Sequence, residues 1–466
     1  MWTGALLLSL VAGAAAGGAI RQGLPADCPT WQACRDDVEA ALAAEAFERA
    51  HDLAWRAVQK GPKDDPVLMF LLARAQSQAG RPQDALVMVR RLIERGIATE
   101  AATHPDLERM RSLAGWGDVE ASLAGAAAPA GTSPVPPAAP APGPSTLARA
   151  PVPVAPAPSG SGRDALVLAT ASLPEEVLRV SVDRFEPAGL AYDAVSRRFV
   201  MGDQLGRKLR VVGEGLDHAV DLVRAESAGF LDVRALAIDP RRGDLWVATS
   251  DPAGLSGTLH RIQLVSGRPL QILSLEGDTG RPTRPVDLAI ADSGAVFVLE
   301  RDGRVLRARA GAASPETILT LAAASPAFSM ALAPGDAVAY VSHAAGLLRV
   351  DLGKGTTAEV TSSAGLPLTS IERLRVHRDG FVALQRDPAG DSRLLRLELN
   401  RNGRGVRRVT EYDVRVEAGS GATSLAVAGD EASLVVAGSH TPGEAGASPS
   451  AIGSPAELVV RRFRLR

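Results

Sequence analysis

From Phe185 to the C-terminus the chain repeats one strand–turn–strand unit six times, and six short antiparallel units in series leave few folds open. The units are FEPAGLAYDAVSRRFVMGD from Phe185, VRALAIDPRRGDLWVATSD from Val233, PVDLAIADSGAVFVLERD from Pro285, FSMALAPGDAVAYVSH from Phe328, IERLRVHRDGFVALQRD from Ile371 and TSLAVAGDEASLVVAG from Thr423. Each sets two runs of alternating side chains about a turn rich in Asp, Gly or Pro, the signature of paired half-buried strands. Asp193, Asp239, Ala291, Ala333, His377 and Ala428 mark equivalent positions, 42 to 52 residues apart. A third alternating run follows, as in Leu259 to Leu264 or Leu394 to Leu399, and usually a fourth, such as Leu270 to Leu275 or Val409 to Val414. Four strands repeated six times predict an all-β, six-bladed β-propeller over 165–466, whose radial closure protects strand edges. The sixth unit ends on its third strand, Leu458 to Leu465, whereas an unassigned strand, Val177 to Val182, precedes the first unit. Pairing these two is expected to close the ring.

The rest of the chain has a different period. Over 28–124 apolar residues recur at three and four positions, as in Val38, Leu42 and Ala46 or Leu86, Val89 and Leu92, which predicts helices. Gly61, Pro62 and Pro66 end one helix, and Gly80, Arg81 and Pro82 turn the chain into another. Ala50 aligns with Ala85 at a 35-residue offset. This stretch resembles tetratricopeptide repeats, with two units and a short helical cap at Leu107, Met110, Leu113 and Trp116, and the resemblance implies a groove for a protein partner or a packed spacer. Residues 125–162, rich in Pro, Ala and Gly and without aromatic or acidic side chains, are expected to be a disordered, semi-stiff tether able to hold the two folded parts apart. Residues 1–20 include an uncharged stretch from Gly4 to Ile20 with small residues at Ala12, Ala14 and Ala16, which predicts an export signal or, uncleaved, an N-terminal anchor. The expected location is therefore periplasmic or secreted. There Cys28 and Cys34, six apart, form a disulfide or remain two thiols.

Composition narrows the functions. With 51 basic against 53 acidic side chains the chain has a net charge of -2, so no global field recommends nucleic acid as a partner. Aromatic residues make up 4% of the chain, which leaves little surface on which to stack a sugar or a quinone. There is no Gly-x-Ser-x-Gly nucleophile elbow and no His pair at the spacing of a zinc-binding helix. Gly353 to Thr357 copies only the end of a phosphate loop, in a strand-to-strand context, and reads as a turn.

FEPAGLAYDAVSRRFVMGDQLGRKLRVV and SIERLRVHRDGFVALQRDPAGDSRLLRLELN resemble the first and fifth blades of the senescence marker protein, gluconolactonase and luciferin-regenerating-enzyme family, related to strictosidine synthase. That resemblance implies a divalent cation at the channel mouth. On the matching positions stand Ala188, Val286, Phe328 and Glu372, of which Glu372 alone keeps an oxygen ligand; a one-residue slip brings in Glu186 or Asp287. A hard cation wants six to eight oxygens. No cofactor, no resident metal and no catalytic residue are therefore expected, with Glu372 the one weak ligand candidate. The favoured function is non-catalytic binding or scaffolding, the helices docking a protein and the propeller rim a partner or small ligand. The alternative is a lactonase or esterase using a divalent metal, Ca²⁺ or Zn²⁺. Antiparallel pairing puts the start of each first strand and the end of each second strand at one end of the ring. That rim collects Asp203, Asp251, Asp287, Glu300, His343, Glu372, Gln385 and His440, read as a candidate acidic ligand site or as ordinary solvated loop residues.

Overall fold

The computed structural model describes residues 28–127, 166–168, 174–182, 185–275, 281–322, 326–363, 365–414, 421–437 and 456–465. The expected leader, nearly all of the tether, and His440 lie outside the described residues. No described helix is long and apolar enough to cross a membrane.

Six antiparallel sheets surround a common axis. In blade 1 the strands are Pro187–Asp193, Arg198–Asp203, Lys208–Gly213 and Val220–Val223, and blade 2 runs from Asp232–Ile238 at the axis to Pro269–Ser274 outside. Blades 3, 4 and 5 begin on the inner strands Pro285–Ile290, Ala327–Leu332 and Ile371–His377. Blade 6 orders Gly421–Ala428, Glu431–Ala437, Ala456–Arg464 and, outermost, Glu175–Val182. The expected closure is thus the observed one: Leu178 pairs with Val460 and Val180 with Leu458, so the ring is fastened by strands from opposite ends of the propeller sequence. Between blades the inner faces bury Val, Leu, Ala and Phe in a succession of clusters, in which Trp246 is a core side chain. Blade 5 carries extra parallel pairings: Leu166–Leu168 lies along Val409 to Glu411 and Thr361–Ser362 along Gly405 and Val406.

The helical part consists of α1 (Trp31–Ala43), α2 (Phe47–Lys60), α3 (Pro66–Gln78) and α4 (Pro82–Glu94), then short turns and a last helix, Trp116–Ala127. That helix extends three residues into the stretch expected to be tether. Asp65 caps α3, accepting from the Val67 and Leu68 amides at 2.9 and 3.1 Å, and proline opens α3 and α4, where no amide is missed. Ala50 and Ala85, the aligned pair, are both fully buried where helices touch. Cys28 and Cys34 are joined by a disulfide at the entry to α1.

The two parts are not held apart. One apolar core runs from α2, α3 and α4 into blades 1 and 2, including Leu53, Trp55 and Met88 on one side and Val195, Val200 and Leu245 on the other. Trp55 packs on the turn of blade 2 so closely that a Cβ at Gly243, whose φ is +64°, would lie 2.5 Å from the indole ring. Gln59 accepts from Trp55 Nε1 at 2.9 Å and donates to the Pro240 carbonyl at 2.8 Å. Arg91 donates to the Val195 carbonyl at 2.8 Å, and Arg197 reaches back to Asp64 at 3.0 Å. These turns join first to second strands, so the helices sit at the end of the ring opposite the rim considered above.

Candidate functional site at the propeller mouth

At the rim end, five blades or their loops contribute to one open cavity of about 480 Å³. Its walls are Pro252, Pro285, Val286 and Phe328, and its polar groups are Gln204, Arg234, Arg284, Arg301 and Arg373. The lining is therefore cationic, and among the described residues the acids and His343 singled out in the sequence are absent from it.

Each of those residues that the structure describes has a structural partner. Asp203 is buried and accepts from the Gly206 amide at 3.0 Å, holding the turn after its strand. Asp251 likewise folds its own loop, accepting from the Ser256 and Ala253 amides, and these backbone donors, Ser256 foremost, hold its pKa below the usual carboxylate range. Asp287 is buried on the axis and grips the Arg375 guanidinium through two bonds of 2.8 and 3.2 Å, with Ser329 Oγ donating to the same carboxylate. Blades 3, 4 and 5 are thereby pinned together by a charged group inside the channel. Glu372 pairs with Arg386 at 2.9 Å. Gln385 donates to the Pro367 and Thr369 carbonyls at 2.7 and 2.9 Å. His343 lines a separate cavity of about 120 Å³ with Glu359 and Leu368, and burial lowers its pKa.

Glu300 differs from the others. It is buried, one oxygen accepts from the Arg284 amide, and the second has no partner among the described residues. Burial pushes its pKa up to about 7 from 4.5. A carboxyl whose folded pKa is raised binds protons that the unfolded chain has released, so its contribution to stability is fully present below about pH 4.5 and falls away as pH rises through 7. Glu300→Gln keeps an acceptor for Arg284 and removes the charge. Denaturant titrations are expected to show the variant more stable than the parent at pH 8, by on the order of 3 kcal/mol, and equal to it at pH 4. Equal stability at pH 8 would show that the carboxylate is hydrated in the fold.

The metal positions implied by the resemblance can be tested on this geometry. Val286 and Phe328 form walls of the mouth and Ala188 is buried, so none of them offers an oxygen. Of the acids near these positions, Glu372 is occupied by Arg386 and Asp287 by Arg375. Among the described residues no three His, Cys, Asp or Glu side chains converge on one point. The donor set does not fit a divalent cation.

No family model and no curated protein matches the chain. Solved structures do. A PQQ-bound aldose sugar dehydrogenase from Streptomyces coelicolor aligns over 62% of this chain and 98% of its own, at 12% identity and a TM-score of 0.43. A gluconolactonase from Xanthomonas campestris covers 61% and is itself covered to 88%, at 13% identity and a TM-score of 0.41. A calcium-binding regucalcin from Agrobacterium tumefaciens covers 62% and is covered to 97%, at 15% identity and a TM-score of 0.40. The last two are a gluconolactonase and a regucalcin, and the likeness to all three is one of fold.

Proposed function

We propose that the protein is a ligand-binding propeller, which captures a small molecule at its mouth without transforming it, with the helical part built onto the ring as a fixed buttress. The observation that carries this reading is the state of the axial carboxylates. Asp287 and Glu372 are each matched by an arginine of the protein's own, and the neighbouring positions Val286 and Phe328 are apolar, so the mouth keeps a binding shape without an acid, base or metal donor set for hydrolysis. The Cys28–Cys34 bond supports export to an oxidising compartment. A protein partner of the helices would have to use faces other than those of α2 and α4 that pack on blades 1 and 2.

The test is elemental analysis of the purified full chain together with a δ-lactone hydrolysis assay, run on the parent and on Glu372→Gln. The expected outcome is no stoichiometric metal, no hydrolysis above background, and no difference between the two proteins. Stoichiometric Ca²⁺ or Zn²⁺, with hydrolysis lost in Glu372→Gln, would instead establish the metal-dependent hydrolase.

A further inference from the structure

We infer that the propeller mouth is a site for a small polyanion, a compact molecule bearing two or more carboxylate or phosphate groups, held by Arg234, Arg284, Arg301 and Arg373. This rests on the ligand-binding reading above and adds the chemistry of the ligand.

The charge of the cavity is not cancelled from within. Arg284, Arg301 and Arg373 make no ion pair among the described residues; Arg284 reaches the Ala253 carbonyl at 3.4 Å and Arg373 the Glu372 carbonyl at 2.8 Å. Arg234 has one nearby carboxylate, Asp232 at 3.3 Å, which Arg207 shares at 3.1 Å. The acids that might have answered these guanidinium groups are spent elsewhere: Asp287 on Arg375, Glu372 on Arg386, Asp203 on a turn amide. Glu300 directs one oxygen to the Arg284 backbone.

Like charges brought to one cavity repel unless an anion joins them, and the repulsion grows where water is excluded. Burial is the largest influence on Arg373 and, with Arg375, pushes its pKa down against the opposing pull of Asp287 and Glu372. A ligand carrying negative charge reverses both effects. The guanidinium groups present planar forks that match carboxylate and phosphate oxygens two at a time. They come from different parts of the ring, Arg234 and Arg373 on first strands of blades 2 and 5, and Arg284 and Arg301 on either side of the first two strands of blade 3. Such a set surrounds a ligand and selects one with anionic groups at more than one end. Arg234 is held by Ser250 Oγ at 3.2 Å and by Asp232, so part of the ordering cost of binding is met in the free protein. The walls of Pro252, Pro285, Val286 and Phe328 confine the ligand to a cavity of about 480 Å³, the scale of a metabolite and far below that of a nucleic-acid groove.

The experiment is isothermal titration of the full chain with inorganic pyrophosphate, with citrate, and with glucose as a neutral control, repeated for Arg284→Ala/Arg301→Ala. Both substituted side chains are exposed, so the double variant is expected to keep the parent melting temperature. The expected result is one-to-one binding of at least one of the two anions, weakened by added salt and at least tenfold weaker in the double variant, with glucose silent. The better of the two probes then tells phosphate from carboxylate preference. Absence of binding by both anions at millimolar concentration, or equal binding by parent and variant, overturns the assignment. Binding of glucose with neither anion bound also overturns it, while leaving the ligand-binding reading intact; that reading fails separately, through metal-dependent lactone hydrolysis.

Discussion

Removing the strand Glu175–Val182 is expected to abolish cooperative unfolding of the propeller. Among the described strands it is the outermost of blade 6 and the one that pairs with the outer edge of Ala456–Arg464. Leu178 and Val180 are buried in the cluster that joins the last blade to the first, against Phe185, Phe199, Met201, Leu458 and Val460. Burial of two such side chains contributes roughly 3–6 kcal/mol, a large fraction of the 5–15 kcal/mol that typically separates a folded domain from its unfolded chain. The strand's loss also exposes an unpaired edge that invites association with other chains. Calorimetry of the deletion is expected to show a broad transition beginning well below the parent midpoint. Because a deletion also shortens the connection to the helices, Leu178→Ser/Val180→Ser keeps the length and is expected to move the midpoint down in the same direction. A sharp transition at the parent midpoint in both variants would sink this account of closure.

The closing strand was legible because its signal is local. Alternating side chains mark a strand wherever it pairs, and a sixth unit lacking a fourth strand left one vacancy for one surplus strand. The composition of the mouth is harder to read, for a reason equally specific. Every inner strand shifts register near its start: between Pro187 and Leu190, Val233 and Ala235, Pro285 and Asp287, Ala327 and Ser329, Ile371 and Arg373, and Ala422 and Ser424. An extra residue at that point changes which side chains face the channel, and a period-two pattern cannot reveal it. Arg234, Val286 and Phe328, which these pairings skip, all line the cavity, whereas Gln204, Arg284 and Arg301 flank the strands and carry no such signal. Six bulges at one repeated position are a feature of the architecture, and allowing for them would have brought Arg234 to the mouth. The docking of the helices lacked any such signal. Arg81 and Asp244 are 163 residues apart, and the apolar stripe of α2 reads the same whether a blade or a foreign protein covers it.

That docking has a charged centre whose disruption should separate the two parts. Asp244 is fully buried, with Arg81 donating to one carboxylate oxygen at 2.7 Å and Arg261 to the other at 2.7 Å. Arg81 is itself buried, at 5% exposure. Nearby Asp84 is buried with one oxygen unpartnered, burial lifting its pKa to about 6, and the exposed Glu48 lies 3.6 Å from Arg81. Asp244, bonded directly to both guanidinium groups, is their main counterion. Asp244→Asn keeps the shape and removes the charge, leaving both cations in a low-dielectric interface, which costs about 3–5 kcal/mol when a buried pair is broken from one side. Arg81→Met removes one cation and leaves the Arg261–Asp244 pair in place, so its cost is expected to be smaller. In the double variant Arg81→Met/Asp244→Asn the loss should be less than the sum of the two. Since blade 2 keeps its backbone ladder, the energy is released most cheaply by undocking the helices. X-ray scattering of Asp244→Asn is expected to show a larger radius of gyration, and calorimetry a new low-temperature transition for the helical part. An unchanged radius with a single lowered transition would mean that helices and ring unfold as one unit, held by the apolar seam of Trp55, Leu53 and Val195 even without the ion pair.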